Sequence, residues 1–313
     1  MDAETRVAVV GINGTLGAPV IKSLTKTSFE LTLLTRDKNK TQQFVESTFP
    51  SSERIHITEV DYTSNSSLVS ALTGQHSVVI LISRTVADPH IKVIDAAIEA
   101  GVEQIIPSCF GLDTRIPSIR ANPALEQKLR MEDHVLHRAE DKSKKWSYAM
   151  IHTAVFLEWS LTAGVFINMK GGGDAPTMVF DDGDSKFALS SFNDIGTAIV
   201  NVIRKRHSPE VRDKVLLMSS VHTTQNDLLA YAKGFRPEKT WPTIRIDSAD
   251  ALRKSREALA RGDRTPPAMS GFLVRAYSAD GNGWFPKLDN DVLGVSLKDE
   301  TFLKDALRDA LQA

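Results

Sequence analysis

At 313 residues, with 42% hydrophobic and 25% charged side chains, the chain has a globular composition and enough length to bury a large core without covalent staples. Its 38 basic and 39 acidic residues leave a formal charge of −1, which argues against a general nucleic-acid binder. The single cysteine excludes an intramolecular disulfide framework and any cysteine-based zinc cluster.

The start, Met1-Asp2-Ala3-Glu4-Thr5, is acidic and runs straight into a β-branched segment. It reads as neither a signal nor a transit peptide, so a cytoplasmic setting is expected. No apolar run approaches the roughly 20 residues a membrane helix needs, so no membrane partner is expected. Residues 6–10 predict a strand, and Leu16, Val20, Ile21 and Leu24 then recur at helical spacing. Strands follow at 31–35, 55–57, 77–82, 104–106 and 147–151, with helical patterns at 41–48, 65–72 and 90–100 between them. Gly74 and Gly101 stand where helices should stop. Alternating strands and helices predict a doubly wound α/β fold with a parallel sheet buried on both faces.

Beyond residue 156 the rhythm changes. Gly171-Gly172-Gly173 reads as a flexible turn. Residues 177–180 and 186–189, around Asp181-Asp182-Gly183-Asp184, predict a hairpin. Helices are expected at 195–203, 224–233, 249–260 and 296–310, with Thr265-Pro266-Pro267 as a breaker. Arg204-Lys205-Arg206-His207 reads as a solvated helix end.

The chemistry concentrates first at Gly11-Ile12-Asn13-Gly14-Thr15-Leu16-Gly17, a GxxGxxG spacing between strand and helix. The first glycine permits the tight turn, the second lets backbone approach a pyrophosphate, and the third lets helix pack on strand. The helix N-terminus offers N–H groups and a positive dipole end to phosphate. A dinucleotide site is expected, held by Gly11, Asn13, Gly14, Thr15, Leu16 and Gly17. The second strand ends in Thr35-Arg36-Asp37-Lys38. Arg36 suits a ribose 2′-phosphate, where NAD-specific folds carry an acid, so NADP(H) is the expected cofactor, with Lys38 adding to the field.

These residues resemble the NmrA-like and isoflavone-reductase-like group of atypical short-chain dehydrogenases/reductases, especially its fungal secondary-metabolism members. The likeness is strongest over Ile91-Lys92-Val93-Ile94-Asp95-Ala96-Ala97-Ile98-Glu99-Ala100-Gly101-Val102 and Ile106-Pro107-Ser108-Cys109-Phe110-Gly111, where the group has a helix ending in AGV, a strand and PSEFG. Phe156, Glu158 and Trp159 look like the group's F-D-W signature, and Asp194-Ile195-Gly196 like its later DIG element. The resemblance implies a Rossmann-type domain over residues 1–155 and a smaller C-terminal α/β substrate domain over 156–313, with a soft boundary because later strands can return to the first sheet. It implies a cleft for NADP(H) and a small, often aromatic substrate. It implies Lys128 as general acid/base and as a holder of the nicotinamide ribose, with Ser83 and Arg84 close to the cofactor. Cys109 departs from the group's glutamate, and the Tyr-xxx-Lys pair of ordinary short-chain dehydrogenases is missing at Tyr62, Tyr148, Tyr231 and Tyr277.

Cys109 falls beyond the C-terminal end of a parallel strand, where such folds place ligands, so Cys109, Phe110 and Gly111 are candidate substrate contacts. His152 ends another strand and could polarise a substrate oxygen, with Phe156 and Trp159 lining an apolar pocket. No metal is expected: His134 and His137 lack a carboxylate pattern. The reading is an NADPH-dependent reductase of a small aromatic or natural-product substrate, working as a monomer or homodimer without a nucleic-acid partner. A non-redox isomerase or cyclase on the same fold and an NADP-sensing regulator are the alternatives.

Overall fold

The computed structural model describes residues 5–50, 53–83, 85–169 and 176–312. The first half runs β1 (Arg6–Val10), α1 (Gly17–Leu24), β2 (Glu30–Thr35), α2 (Lys38–Thr48), β3 (Ile55–Glu59), α3 (Asn65–Leu72), β4 (Ser77–Ile80), α4 (Asp88–Glu99), β5 (Gln104–Ile106), α5 (Pro117–Arg120), α6 (Glu126–Ala139) and β6 (Ser147–His152). The second runs β7 (Val155–Phe156), α7 (Leu157–Ala163), β8 (Thr177–Phe180), β9 (Phe187–Ser190), α8 (Phe192–Arg204), β10 (Lys214–Leu217), β11 (Val221–Thr223), α9 (Gln225–Phe235), β12 (Thr243–Ile246), α10 (Ser248–Ala260), α11 (Pro266–Ala276), α12 (Asn290–Leu293) and α13 (Glu300–Gln312).

Seven parallel strands form the central sheet, in the order β10-β6-β5-β4-β1-β2-β3. Successive residues of β1 point to opposite faces. Val7 and Val9 join a core with Ile21, Leu24, Ile195 and Ile199, whereas Ala8 and Val10 join another with Ile94, Met131 and Val135. Both faces are therefore dry, which is why these strands read as continuous apolar runs. Gly74 and Gly101 follow α3 and α4 with φ of +78° and +77°, a left-handed conformation that ends each helix.

Two later elements pack back on this sheet. α8 lies against α1, and a Cβ on Gly196 would stand 2.1 Å from Ser23 Oγ, so the glycine of the Asp194-Ile195-Gly196 element sets that approach. β10 pairs with β6, and Lys144 Nζ reaches both Asp213 carboxylate oxygens at 2.8 Å beside that edge. A further core gathers Leu161, Phe166, Phe187, Leu228, Tyr277 and Leu307. Phe166 and Phe187 stack there with centroids 4.0 Å apart. No helix among the described residues is long and apolar enough to cross a membrane.

The expected hairpin does not form. β8 pairs in parallel with β12, while β9 pairs with β11 and β7. The reason lies at the start of α9. Gln225 Oε1 accepts from Phe180 N–H at 2.7 Å and its Nε2 donates to Met178 O at 2.8 Å, occupying the β8 edge a hairpin partner needs. Asn226 holds the intervening turn through Asp182 O and Asp184 Oδ1. Thr265-Pro266-Pro267 does follow a break after α10, and the two prolines also begin the next helix, α11, where a missing N–H costs nothing. The terminal helix starts at Glu300 rather than 296, and the segment before it is tied to the second half by Lys298 N–H, which donates to Ser220 O at 2.7 Å. Gly171, Gly172 and Gly173 lie outside the described residues.

Candidate functional site

The strand order reverses between β1 and β4, and the crevice beyond their C-terminal ends is where open parallel sheets bind ligands. The glycine turn sits there. Gly11 has φ +83°, and a Cβ on it would lie 2.5 Å from Ile82 N, so the turn closes against the chain leaving β4. A Cβ on Gly17 would lie 1.7 Å from Ile12 O. Packing thus demands both outer glycines. Gly14 differs: its Cβ would approach only Leu81 O at 3.3 Å and Gly11 O at 3.4 Å, and Asn13, Gly14 and Thr15 are all exposed. The middle glycine leaves open a cradle that a larger side chain would narrow. Leu16, the N-cap of α1, is buried and makes no side-chain cap; in the first turn Gly17 N–H donates to Gly14 O at 3.0 Å and Pro19 has no N–H, which leaves Ala18 N–H as the donor a phosphate could meet.

At the end of β2, Arg36 is exposed and makes no ion pair among the described residues. It lies near enough to Tyr62 for its charge to oppose the effect of burial, which pushes the phenol up to about 12. The neighbouring Asp37 has a task of its own. It is the N-cap of α2, with Oδ1 accepting from Lys40 N–H at 2.9 Å. The acid beside Arg36 therefore serves the helix. Lys38 is exposed at the same corner, its N–H bound to Glu59 Oε2 at 3.1 Å.

Past β4, Ser83 is exposed, with Oγ 2.9 Å from Thr85 Oγ1. Buried His90 of α4 holds the Ser83 carbonyl at 3.1 Å through Nε2. Arg84 lies outside the described residues.

The loop after β5 meets α6 and the end of β6 in a buried polar cluster. Lys128 projects inward from α6 with its side chain 3% exposed, and its Nζ donates to Leu112 O at 3.3 Å. A Cβ on Gly111 would come within 3.4 Å of that Nζ, so the glycine gives the lysine its room. Gly111 O accepts from Thr153 N–H at 3.0 Å and Ala154 N–H at 2.9 Å, tying this loop to β6. His152 is buried and neither ring nitrogen has a hydrogen-bond partner. Burial, then the Lys128 charge, holds its pKa well below 6.5, with Asp113 opposing. Asp113 in turn is bound bidentately by Arg115, at 2.9 and 2.8 Å. Cys109 is fully buried in the core on the α4–α6 side, and burial followed by the Glu132 carboxylate pushes its thiol up. That environment keeps the sulfur protonated and unreactive.

Phe110 is buried against the α1–α8 core, and half-buried Phe156 packs on the same core, its ring 5.8 Å from Phe192. Trp159 is 45% exposed on α7. The structure thus gathers Cys109, Phe110, Gly111, Lys128 and His152 around one loop, and sets Arg36, Lys38 and the glycine turn at neighbouring strand ends. Sequence reasoning missed Glu132 and Thr114, which join the Lys128 cluster. The four-residue spacing of Lys128 and Glu132 was the one visible signal. Among the described residues no three His, Cys, Asp or Glu side chains could share a metal ion.

Comparison with known proteins follows the same outline. The model of the NmrA-like family matches residues 3–236. Oxidoreductase aprR of Aspergillus flavus is 28% identical over 282 residues, covering 88% of this chain and 89% of that protein. Among solved structures, an isoflavone reductase superposes with a TM-score of 0.72 at 19% identity, covering 99% of both chains. AtPrR2, solved with NADP+ and (+)pinoresinol, gives 0.73 at 20% identity, covering 99% of this chain and 100% of that one.

Proposed function

The chain belongs to the NmrA-like family, and from that premise we propose that it is an NADP(H)-dependent reductase of a small aromatic natural product, acting in secondary metabolism. One observation carries the reading. Along the C-terminal ends of the sheet strands, β2, β1, β4, β5 and β6 lead in order to Arg36, the open glycine turn, Ser83, the loop that meets Lys128 of α6, and His152. Four inter-strand steps of about 4.8 Å make that row roughly 19 Å long, a track with a free cation at one end and His152, beside the buried Lys128 amine, at the other. The fungal relative is named an oxidoreductase, and AtPrR2 was solved with NADP+ and (+)pinoresinol, which supports both cofactor and substrate class.

In this reading residues 1–155 hold the cofactor and 156–313 shape the substrate side. The glycine cradle and the start of α1 hold the pyrophosphate, and Arg36 with Lys38 holds the 2′-phosphate. When bound, NADPH supplies the hydride. Lys128 delivers the proton from Nζ, held in place by Leu112 O. His152 stays neutral because it is buried beside a cation, so its unpartnered ring nitrogens can orient a substrate oxygen. Phe110, Phe156 and Trp159 provide apolar walls.

The test is to incubate the protein with NADPH and a panel of aromatic ketones, quinones and benzylic ethers. Nicotinamide absorbance and product mass are followed together. The expected outcome is a product gaining two hydrogens as NADPH is consumed one for one, with Lys128→Ala slower by about 10²- to 10⁴-fold. Turnover without loss of NADPH would contradict the reductase reading, and undiminished turnover by Lys128→Ala would remove the lysine from it.

A further inference from the structure

Glu132 is a buried ionisable group to which the mechanism above gives no part. It lies one turn beyond Lys128 on α6, and both side chains are 3% exposed. Its Oε1 stands 3.4 Å from Lys128 Nζ, an ion-pair distance that leaves this oxygen without a directed hydrogen bond. The other oxygen accepts from Thr114 Oγ1, which is itself buried on the loop after β5. The lysine is thus boxed in. Leu112 O and Gly111 lie on one side, and the carboxylate lies on the other.

We propose that Glu132 is the positioning residue of this site: it pins the Lys128 ammonium under the Gly111–Leu112 turn, and Thr114 pins the carboxylate. The inference rests on the reading of Lys128 as the proton donor. The charged and titratable groups facing the amine are few. Glu132 comes from α6, Cys109 from the loop after β5 and His152 from β6, while Asp113 and Arg115 of that loop act on His152. Asp113 is already matched by the Arg115 fork. Cys109 carries no charge where burial and Glu132 raise its thiol, and His152 is neutral. Among the described residues this leaves Glu132 as the carboxylate that balances Lys128. At the position where relatives resembling this chain carry the glutamate of PSEFG, Cys109 lies beside Glu132, so α6 supplies an acid at the place the loop has lost one.

The consequence can be read without any substrate. With ¹³Cε-labelled lysine at neutral pH, the Lys128 resonance is assigned by its loss in Lys128→Arg. In Glu132→Gln, which keeps size and removes charge, the ammonium loses the carboxylate that fixes it, so its resonance should broaden and move toward those of the exposed lysines. Glu132→Asp should regain part of the wild-type position and sharpness. An identical position and width in wild type and Glu132→Gln would overturn the proposal. Thr114→Val strands no ion and should fold where Glu132→Gln does not. A broadened or doubled Lys128 resonance is expected in it, and one sharp line at the wild-type position would contradict the role given to Thr114. Neither readout involves turnover, so each stands or falls apart from the reductase reading.

Discussion

His152 shows how far a single side chain's setting decides its chemistry. Its strand-end position suggests an acid, yet burial beside Lys128 keeps it neutral at physiological pH. The sign for stability follows. Unfolded, the ring binds a proton below about pH 6.5; folded, it does not until much lower pH. Stability tied to His152 is therefore complete above about 6.5 and is lost as pH falls below that value, at up to about 1.4 kcal/mol per unit. His90, also depressed by burial, adds to the same loss. His152→Gln should show a shallower fall in melting temperature between pH 7 and pH 5 than wild type, and parallel curves would contradict this. At this scale legibility was uneven. Gly11 and Gly17 announce themselves because turn geometry and packing impose glycine there, and Gly14 and Arg36 stand out as the residue types a phosphate site would ask for. Lys128 came from family resemblance. Glu132 stayed hidden because a lysine and glutamate four apart normally form an exposed helix pair, and only the fold shows that this pair is inside.

Elements were easier to foresee where one face is fixed by a parallel sheet. The strands up to β6 and the helices α1 to α4 follow the expected order, with ends shifted by a few residues, since continuous apolar strands and amphipathic helices leave few alternatives; α5 and α6, between β5 and β6, were given no bounds. The failures share a cause. The β8–β9 hairpin was displaced by side chains distant in sequence, Gln225 and Asn226, which local turn chemistry does not reveal. Asp37 illustrates the reverse case, a site-adjacent residue claimed by an element. Its carboxylate caps α2, so Asp37→Ala should lower stability by about 1 kcal/mol while leaving the preference between NADPH and NADH unchanged. A swing toward either cofactor in that variant would show that the acid faces the ribose rather than the helix.

For the whole molecule, the balanced charge that excluded a general polyanion binder said nothing about the local field, which depends on where single cations are left free. The fold leaves Arg36 exposed just past β2 and buries Lys128 against the loop after β5, with the glycine cradle of β1 between. α8 and β10 return from the second half to complete the first, so the two halves share the central sheet rather than sitting side by side. The central claim is that this row of strand ends is an NADP(H) site. Titration of wild type and Arg36→Ala with NADPH and NADH, by nicotinamide fluorescence, tests it most directly. Wild type should bind NADPH more tightly than NADH, and Arg36→Ala should lose about ten- to a hundredfold in NADPH affinity with little change for NADH. Equal affinities in wild type, or binding of neither dinucleotide, would contradict the account.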